Sequence, residues 1–189
     1  GVSGALNNIA IIYARRGDLE EALTRYREVL RIDLKREAPD GIAAALNNIG
    51  LVRENQGQYD RALHRYRESL AIERREGNRT GIAQSLTNIA NVHETRGDYR
   101  KALVQYREAI EIHRELGNRA SLAGTLNNTG VCYKNLGRYD EALAQYREAL
   151  AIERDLEDRG GVANALSNIG TLHVRQGRLV LALERFQES

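Results

Sequence analysis

The sequence predicts an all-α fold built as a stacked array of antiparallel helix pairs. Two observations carry this prediction: a strict forty-residue repeat, and apolar residues spaced three and four apart within each repeat. Glycine marks the repeat without an insertion, at Gly17, Gly57, Gly97, Gly137 and Gly177. Units of this kind bury their apolar faces only against their neighbours, and such folds usually serve as binding surfaces.

The same period places a leucine, an alanine and an aromatic ring at fixed points of each repeat. These are Leu6, Leu46, Leu86, Leu126 and Leu166; Ala22, Ala62, Ala102, Ala142 and Ala182; and Tyr26, Tyr66, Tyr106, Tyr146 and Phe186. We expect these positions to form the buried framework of the array.

Each repeat is predicted to contain two helices, as residues 41–80 illustrate. The first helix carries an apolar stripe over Ile42–Val52, and Gly57 ends it where a residue with positive φ is wanted. The second runs from about Tyr59 to Glu76, and Gly77 provides the next stop.

Small residues in the middle of the first helices predict close helix contacts. Glycine within a helix costs roughly 0.5 to 1 kcal/mol relative to alanine. Its presence at Gly50, Gly130 and Gly170 therefore indicates that a side chain there would collide with a neighbour.

Acidic residues at the turns predict helix caps. Asp18 and Asp98 are expected N-caps, and Asp18 with Glu21 three residues later fits a capping box.

The uniform register predicts one domain over residues 1–189. Its repeats are approximately 1–40, 41–80, 81–120, 121–160 and 161–189, the last one truncated. No polar capping helix follows, so we expect the apolar edge around Leu179, Leu183 and Phe186 to be exposed and to promote end-to-end self-association.

Composition argues against nucleic-acid and membrane partners. The chain has 28 basic and 26 acidic residues and a net charge of only +2. The two signs are interleaved, whereas nucleic-acid binding needs basic residues clustered on one face. The sequence contains no apolar stretch of membrane-span length and no signal-peptide pattern. We expect a cytoplasmic location, which the single cysteine, Cys132, favours; we predict that Cys132 is a small core residue.

No catalytic or metal-binding pattern emerges from the sequence. The four histidines, His64, His93, His113 and His173, lack the spacing of a metal-binding pair. The sequence contains no motif typical of a nucleotide-binding loop or of a nucleophile elbow. The sequence therefore predicts a protein that is not an enzyme and that holds no metal and no cofactor.

The repeat resembles the tetratricopeptide repeat family. In residues 41–80 the resemblance is carried, in order, by Leu46, Ile49, Gly50, Gly57, Tyr59, Ala62, Tyr66 and Ser69. The forty-residue period and the paired asparagines of the first helix are similar to the repeats of kinesin light chain and of the LGN/Pins-type scaffold proteins. The resemblance implies a right-handed superhelical solenoid whose concave wall is formed by the first helices.

Asparagines form two rows on the predicted first helices. One row, present in all five repeats, is Asn8, Asn48, Asn88, Asn128 and Asn168; the other is Asn7, Asn47 and Asn127. Asparagine within a helix is less favourable than alanine by roughly 0.6 kcal/mol, so eight of them cost about 5 kcal/mol.

Two hypotheses explain this cost. Carboxamides on an open wall can pair with the backbone of an extended peptide, which is the role understood for the matching asparagines of kinesin light chain and LGN-like proteins. Alternatively, each amide staples one helix to the next. The peptide-binding hypothesis is favoured for the five-member row, and the two roles can coexist.

By the same resemblance, variable inward positions of the first helices would set peptide specificity. The candidates are Arg15, Glu54, Asn55, Asn91, Glu94, Lys134, Asn135 and Arg175. Acidic residues in the middle and basic residues toward both ends suggest a mixed-charge peptide. Chaperone-binding family members grip a terminal carboxylate with basic residues in their third repeat, where this chain has Gln84 and Asn88, which argues against a chaperone-tail clamp.

Three functions remain open from the sequence. The favoured one is a protein–protein interaction module that binds an extended peptide of a partner. The alternatives are a structural spacer or self-assembling scaffold, and a sensory or regulatory region of a larger signalling protein.

Overall fold

A computed structural model describes residues 1–188, with all side chains except those of Phe186 and Glu188. Over this range the regular elements are all α-helices. They are α1 Val2–Arg16, α2 Leu19–Lys35, α3 Pro39–Asn55, α4 Tyr59–Glu76, α5 Arg79–Thr95, α6 Tyr99–Glu115, α7 Arg119–Asn135, α8 Tyr139–Asp155, α9 Arg159–Arg175 and α10 Leu179–Glu188. The predicted second helix of residues 41–80 is α4, with the predicted bounds.

The helices belong to two compact units, Gly1–Val92 and His93–Ser189. In the first unit α1 packs on α2, α2 on α3, and α3 on α4. In the second unit the same succession runs from α6 to α10. The boundary between the units falls within α5.

The predicted framework positions form the core of both units, except that Leu6 of the first helix is only half-buried. Ala22, Ala62, Ala102 and Ala142 have no exposed surface, and the rings of Tyr66, Tyr106 and Tyr146 are likewise fully buried. In the second unit Ala142 and Tyr146 of α8 pack with Leu166 and Leu172 of α9. One helix pair thus buries its apolar face against the first helix of the next pair. The ring of Phe186, predicted to belong to this framework, lies outside the described residues.

The framework glycines end the first helix of each repeat, as predicted. Gly17, Gly57, Gly97, Gly137 and Gly177 have φ between +71° and +85°. Left-handed backbone of this kind is strained for residues with a Cβ atom, which explains why the period is marked by glycine.

The mid-helix glycines lie against tyrosine rings. A Cβ atom added at Gly50 would lie 2.6 Å from Cε1 of Tyr66, and one added at Gly130 would lie 2.5 Å from Cε1 of Tyr146. Both distances are far below van der Waals contact, so the predicted close approach is confirmed at these two positions.

The predicted capping box is not formed. Asp18 and Asp98 stand at N-cap positions, but neither side chain accepts a capping hydrogen bond. Asp18 instead lies 3.5 Å from the Arg16 guanidinium, and Asp98 lies 3.1 Å from the Lys101 ammonium. Charged neighbours therefore compete with the backbone N–H groups for these carboxylates.

Side-chain caps occur at other helices. Asn78, Asn118 and Asp158 accept from the backbone N–H groups of Gly81, Ser121 and Gly161 at 3.1, 3.3 and 3.0 Å. Among the described helices, none combines the length and apolar character needed to cross a membrane.

Candidate functional site

The five-member asparagine row lies on the first helix of each repeat. Asn8, Asn48 and Asn88 belong to α1, α3 and α5 of the first unit, and Asn128 and Asn168 belong to α7 and α9 of the second. Asn8 is exposed and the other four are half-buried. Their carboxamides therefore stay within reach of solvent although the helices that carry them form the core.

Three of these half-buried carboxamides donate to another asparagine. Asn48 Nδ2 donates to Asn7 Oδ1 at 3.0 Å, and Asn88 Nδ2 donates to Asn47 Oδ1 at 3.4 Å. Asn168 Nδ2 donates to Asn164 Oδ1 of its own helix, also at 3.4 Å.

The fourth, Asn128, is hydrogen-bonded to the Tyr106 hydroxyl. A carboxamide has two N–H donors and an oxygen with two lone pairs. These bonds orient the amides, and because the bond of Asn48 engages one N–H, its second N–H and its oxygen can bind another group.

The second asparagine row is divided between two environments. Asn47 and Asn127 are buried, with 7 % and 4 % of their surface exposed, whereas Asn7 is half-buried. Asn47 Nδ2 donates to Ser85 Oγ of α5 at 3.1 Å, and Asn127 Nδ2 donates to Glu153 Oε1 of α8 at 2.8 Å. The structure thus places Asn47 and Asn127 between helices, where each donates to a side chain of a neighbouring helix.

Two predicted specificity residues accept hydrogen bonds from framework tyrosines. The Tyr66 hydroxyl donates to Glu54 Oε2 and the Tyr106 hydroxyl to Glu94 Oε2, each at 2.7 Å. Burial raises the pKa of both carboxyl groups, and the tyrosine hydrogen bonds oppose that rise. The rings therefore fix two half-buried acidic groups on the same helices as the asparagine row.

The next repeat reverses the charge at this position. Lys134 replaces the glutamate, and burial together with the charge of Arg175 lowers the pKa of its ammonium, while Glu94 raises it. The corresponding tyrosine hydroxyl, that of Tyr146, is buried and has no hydrogen-bond partner among the described residues. Of the predicted specificity residues, the second unit therefore contains one acidic group, Glu94, and two basic groups, Lys134 and Arg175.

The remaining predicted site residues lie on the same first helices. Arg15, Asn55, Asn135 and Arg175 are exposed near the helix ends, and Asn91 is half-buried on α5.

A set of buried polar groups escaped the sequence analysis. Asp33, Glu73 and Glu153 are each 5 % exposed at equivalent positions of α2, α4 and α8. The pKa values of Glu73 and Glu153 are raised mainly by burial. Glycines eight residues further along the sequence make room for them; a Cβ atom at Gly41, for example, would lie 2.5 Å from Asp33 Oδ2. The spacing of forty and then eighty residues between these acids, with the buried His113 at the intervening position, was the signal that could have revealed them.

Chemically reactive groups are sparse in the described part of the chain. Cys132 is fully buried, as predicted, and burial raises the pKa of its thiol to about 12. His93, His113 and His173 are buried and His64 is exposed. Within residues 1–188 no three His, Cys, Asp or Glu side chains gather as a metal ion would require.

Comparison with known families decides the assignment. The family model described as Tetratricopeptide repeat matches residues 2–72, 41–115 and 121–189. The chain belongs to the tetratricopeptide repeat family. Tetratricopeptide repeat (TPR) arrays are generally protein–protein interaction modules and generally not enzymes. No curated protein matches the sequence significantly.

Solved structures show the same TPR fold. BtubC (BKLC) from P. vanneervenii is similar with a TM-score of 0.88 and 23 % identity, over 97 % of this chain and 76 % of BtubC. A kinesin-light-chain-like protein of Podosopora anserina with nearly identical TPR-like repeats gives 0.80 and 15 %, over 97 % of this chain and 90 % of that one. The predicted all-α solenoid class and the likeness to kinesin light chain repeats are thus confirmed for the fold.

A third similar structure is a Rap protein complexed with Competence and Sporulation Factor. Its TM-score is 0.81 and its identity 19 %, over 97 % of this chain and 51 % of the Rap protein. The present chain therefore spans about half of that relative.

Proposed function

We propose that the chain is a TPR interaction module that binds an extended peptide segment of a partner protein through its asparagine row. The observation that carries the proposal is the contrast between adjacent residues of α3. Both bond to another helix, but Asn47 is buried and donates to Ser85 of α5, whereas Asn48 is half-buried and has one N–H bonded to Asn7 of α1. Hydrogen bonds between helices account for the helix-propensity cost of placing asparagine at position 47. The same role leaves most of the hydrogen-bonding capacity of Asn48 unused.

Paired amides suit a peptide backbone because an extended chain presents N–H and C=O groups that both need partners. The row can supply a donor and an acceptor at each repeat, whatever side chains the peptide carries. Glu54 in the first unit favours a basic peptide side chain. Glu94, Lys134 and Arg175 in the second unit favour a segment with both charges. A mixed-charge peptide therefore remains the proposed ligand, with Asn47 and Asn127 left out of the contact set.

The unbroken forty-residue register supports the further proposal that residues 1–189 serve as one functional domain. A single buried cysteine that cannot form an internal disulfide supports a cytoplasmic location. The Rap protein complexed with Competence and Sporulation Factor supports a signalling context, since it shares this fold.

The test is selection of linear peptides from a displayed random library on the immobilised chain, followed by affinity measurement of the selected peptides by fluorescence polarisation. We expect Asn48→Ala to weaken binding by about 1 to 3 kcal/mol, because backbone groups of the peptide lose partners. The matched control is Thr24→Ala, which removes a side-chain hydrogen bond on the exposed surface of α2. If no peptide is selected, or if Asn48→Ala and Thr24→Ala bind the selected peptides equally well, the proposal is wrong.

A further inference from the structure

A cavity of about 480 Å³ opens in the first unit between α2, α3 and α4. Four arginines line it: Arg27 from α2, Arg53 from α3, and Arg61 and Arg65 from α4. Asp60 is the one carboxylate among the described lining residues. This concentration of positive charge stands out in a chain whose net charge is only +2.

The cavity is separate from the asparagine row. Arg53 follows Asn48 by five residues, which corresponds to about 140° around the axis of α3. The two side chains therefore leave α3 on different faces, and occupancy of the cavity can be tested separately from the proposed peptide function.

The guanidinium group of Arg53 is repelled by the charges of the other three arginines. Burial lowers its pKa, and the charges of Arg27, Arg61 and Arg65 lower it further, while Glu20 raises it. Like charges around one partly buried guanidinium group are unfavourable unless anions compensate them. Three cations against the single carboxylate of Glu20 leave an excess of positive charge around Arg53.

Neutral amides, and not carboxylates, hold two of these guanidinium groups. Arg53 Nη1 donates to Gln56 Oε1 at 3.0 Å and to Gln58 Oε1 at 2.9 Å, and Arg61 Nη1 donates to Gln58 Oε1 at 3.0 Å. Of the four arginines, Arg65 has a carboxylate partner within the described residues, Glu68 at 2.7 Å. The glutamines orient the cluster without neutralising it.

The equivalent place in the second unit lacks this cluster. There a cavity of about 170 Å³ has Arg107, Tyr133 and Gln145 eighty residues after Arg27, Arg53 and Arg65, and its lining also includes one further arginine and one glutamate, Arg114 and Glu111. The residue eighty positions after Arg61 is an acid, Glu141. The charge is consequently not required by the repeat framework, because the same fold is built without it.

We propose that this arginine-lined cavity binds a phosphate-bearing ligand. Guanidinium groups match phosphate oxygens bidentately and are the preferred side chains for phosphate recognition. The volume lies in the range of small-molecule sites. Leu30 and Ile49 in the lining offer an apolar surface to the carbon part of a phosphate ester.

The first experiment is calorimetric titration of the whole chain with pyrophosphate at constant ionic strength, with sodium sulfate as the comparison anion. We expect saturable binding that is weakened at least tenfold by the double variant Arg27→Gln/Arg61→Gln. Both residues are exposed, so circular dichroism melting is expected to show a folded variant. The matched control, Arg107→Gln, occupies the equivalent position of the second unit and should bind pyrophosphate like the wild type.

A second arm distinguishes the source of the phosphate. N-acetyl-O-phosphoserine amide represents a phosphorylated side chain, and pyrophosphate represents a free phosphate compound. The probe that binds more tightly in an Arg27- and Arg61-dependent manner identifies the source. Absence of saturable binding for both probes, equal binding of sulfate and pyrophosphate, or equal losses in Arg27→Gln/Arg61→Gln and Arg107→Gln would overturn the proposal. None of these outcomes bears on peptide binding by the asparagine row.

Discussion

Tyr66 and Tyr146 are equivalent rings that differ in one hydrogen bond, and replacing each by phenylalanine isolates the energy of that bond. Both rings are fully buried, so the substitution leaves no cavity of ring size in either case. The Tyr66 hydroxyl donates to Glu54 Oε2 at 2.7 Å, whereas the Tyr146 hydroxyl is buried without a partner among the residues that the structure describes.

The expected magnitudes follow from these environments. A hydrogen bond to a charged group contributes about 1.5 to 3 kcal/mol, and its loss would leave Glu54 half-buried with less compensation, so we expect Tyr66→Phe to lower the free energy of unfolding by about 2 kcal/mol. A buried hydroxyl without a partner is itself unfavourable. Tyr146→Phe should therefore be neutral or stabilising by up to about 1 kcal/mol.

The assay is urea denaturation followed by far-UV circular dichroism and by tyrosine fluorescence, with free energies compared where the two transitions coincide. Tyr106→Phe is the control within the second unit, since the Tyr106 hydroxyl donates to Glu94 Oε2 at 2.7 Å. It should behave like Tyr66→Phe. Equal or greater destabilisation by Tyr146→Phe would refute the assignment of the hydroxyl–glutamate bonds as the difference between these repeats.

Three further predictions concern backbone, pH and stapling. Gly137→Ala, at φ +75°, should lower the free energy of unfolding by about 1 to 2 kcal/mol in thermal denaturation. Gly124→Ala, where an added Cβ atom meets nothing within 4 Å, should raise it by about 0.5 to 1 kcal/mol. The reverse order of stabilities would contradict the positive-φ argument. Burial raises the pKa of Glu94 above its ordinary 4.5, so the folded state binds more protons than the unfolded state and the wild type loses stability as the pH rises from 4.5 through the raised pKa. The stability of Glu94→Gln relative to wild type should therefore increase from acidic to neutral pH. A stability difference that does not change with pH would contradict this prediction. Asn47→Ala loses hydrogen bonds to Ser85 and Asn88, about 1 kcal/mol each, and gains roughly 0.6 kcal/mol of helix propensity, so it should lower the free energy of unfolding by about 1 to 2 kcal/mol. Asn48→Ala should change the free energy of unfolding by no more than about 0.5 kcal/mol. Similar denaturation midpoints for the two variants would show that Asn47 and Asn48 do not differ in role.

The features that could be predicted from the sequence are those fixed by local backbone geometry and by helical period. Gly57 had to mark a helix end because positive φ selects glycine, and the buried face of α4 followed from the spacing of Ala62 and Tyr66. Gly50 indicated a close contact, although its partner, the Tyr66 ring, lies sixteen residues away in sequence.

Choices between competing partners could not be predicted in the same way. Asp18 has the sequence of a cap, but its carboxylate lies beside Arg16. Asn47 and Asn48 are adjacent identical residues, and 100° of helical rotation per residue separates a staple from a half-exposed amide. The arginine cavity joins three helices, so the charges of Arg27 and Arg61 become neighbours only after packing.

The central claim is that the half-buried asparagines of the five-member row contact a peptide, whereas the buried Asn47 and Asn127 do not. Side-chain amide NMR of the chain, with a selected peptide added, reads both rows in one spectrum. We expect the carboxamide resonances of Asn48, Asn88, Asn128 and Asn168 to include the largest chemical-shift changes, with those of Asn47 and Asn127 changing little. Shifts confined to other surfaces, or larger shifts at Asn47 and Asn127 than at Asn48 and Asn128, would contradict the claim.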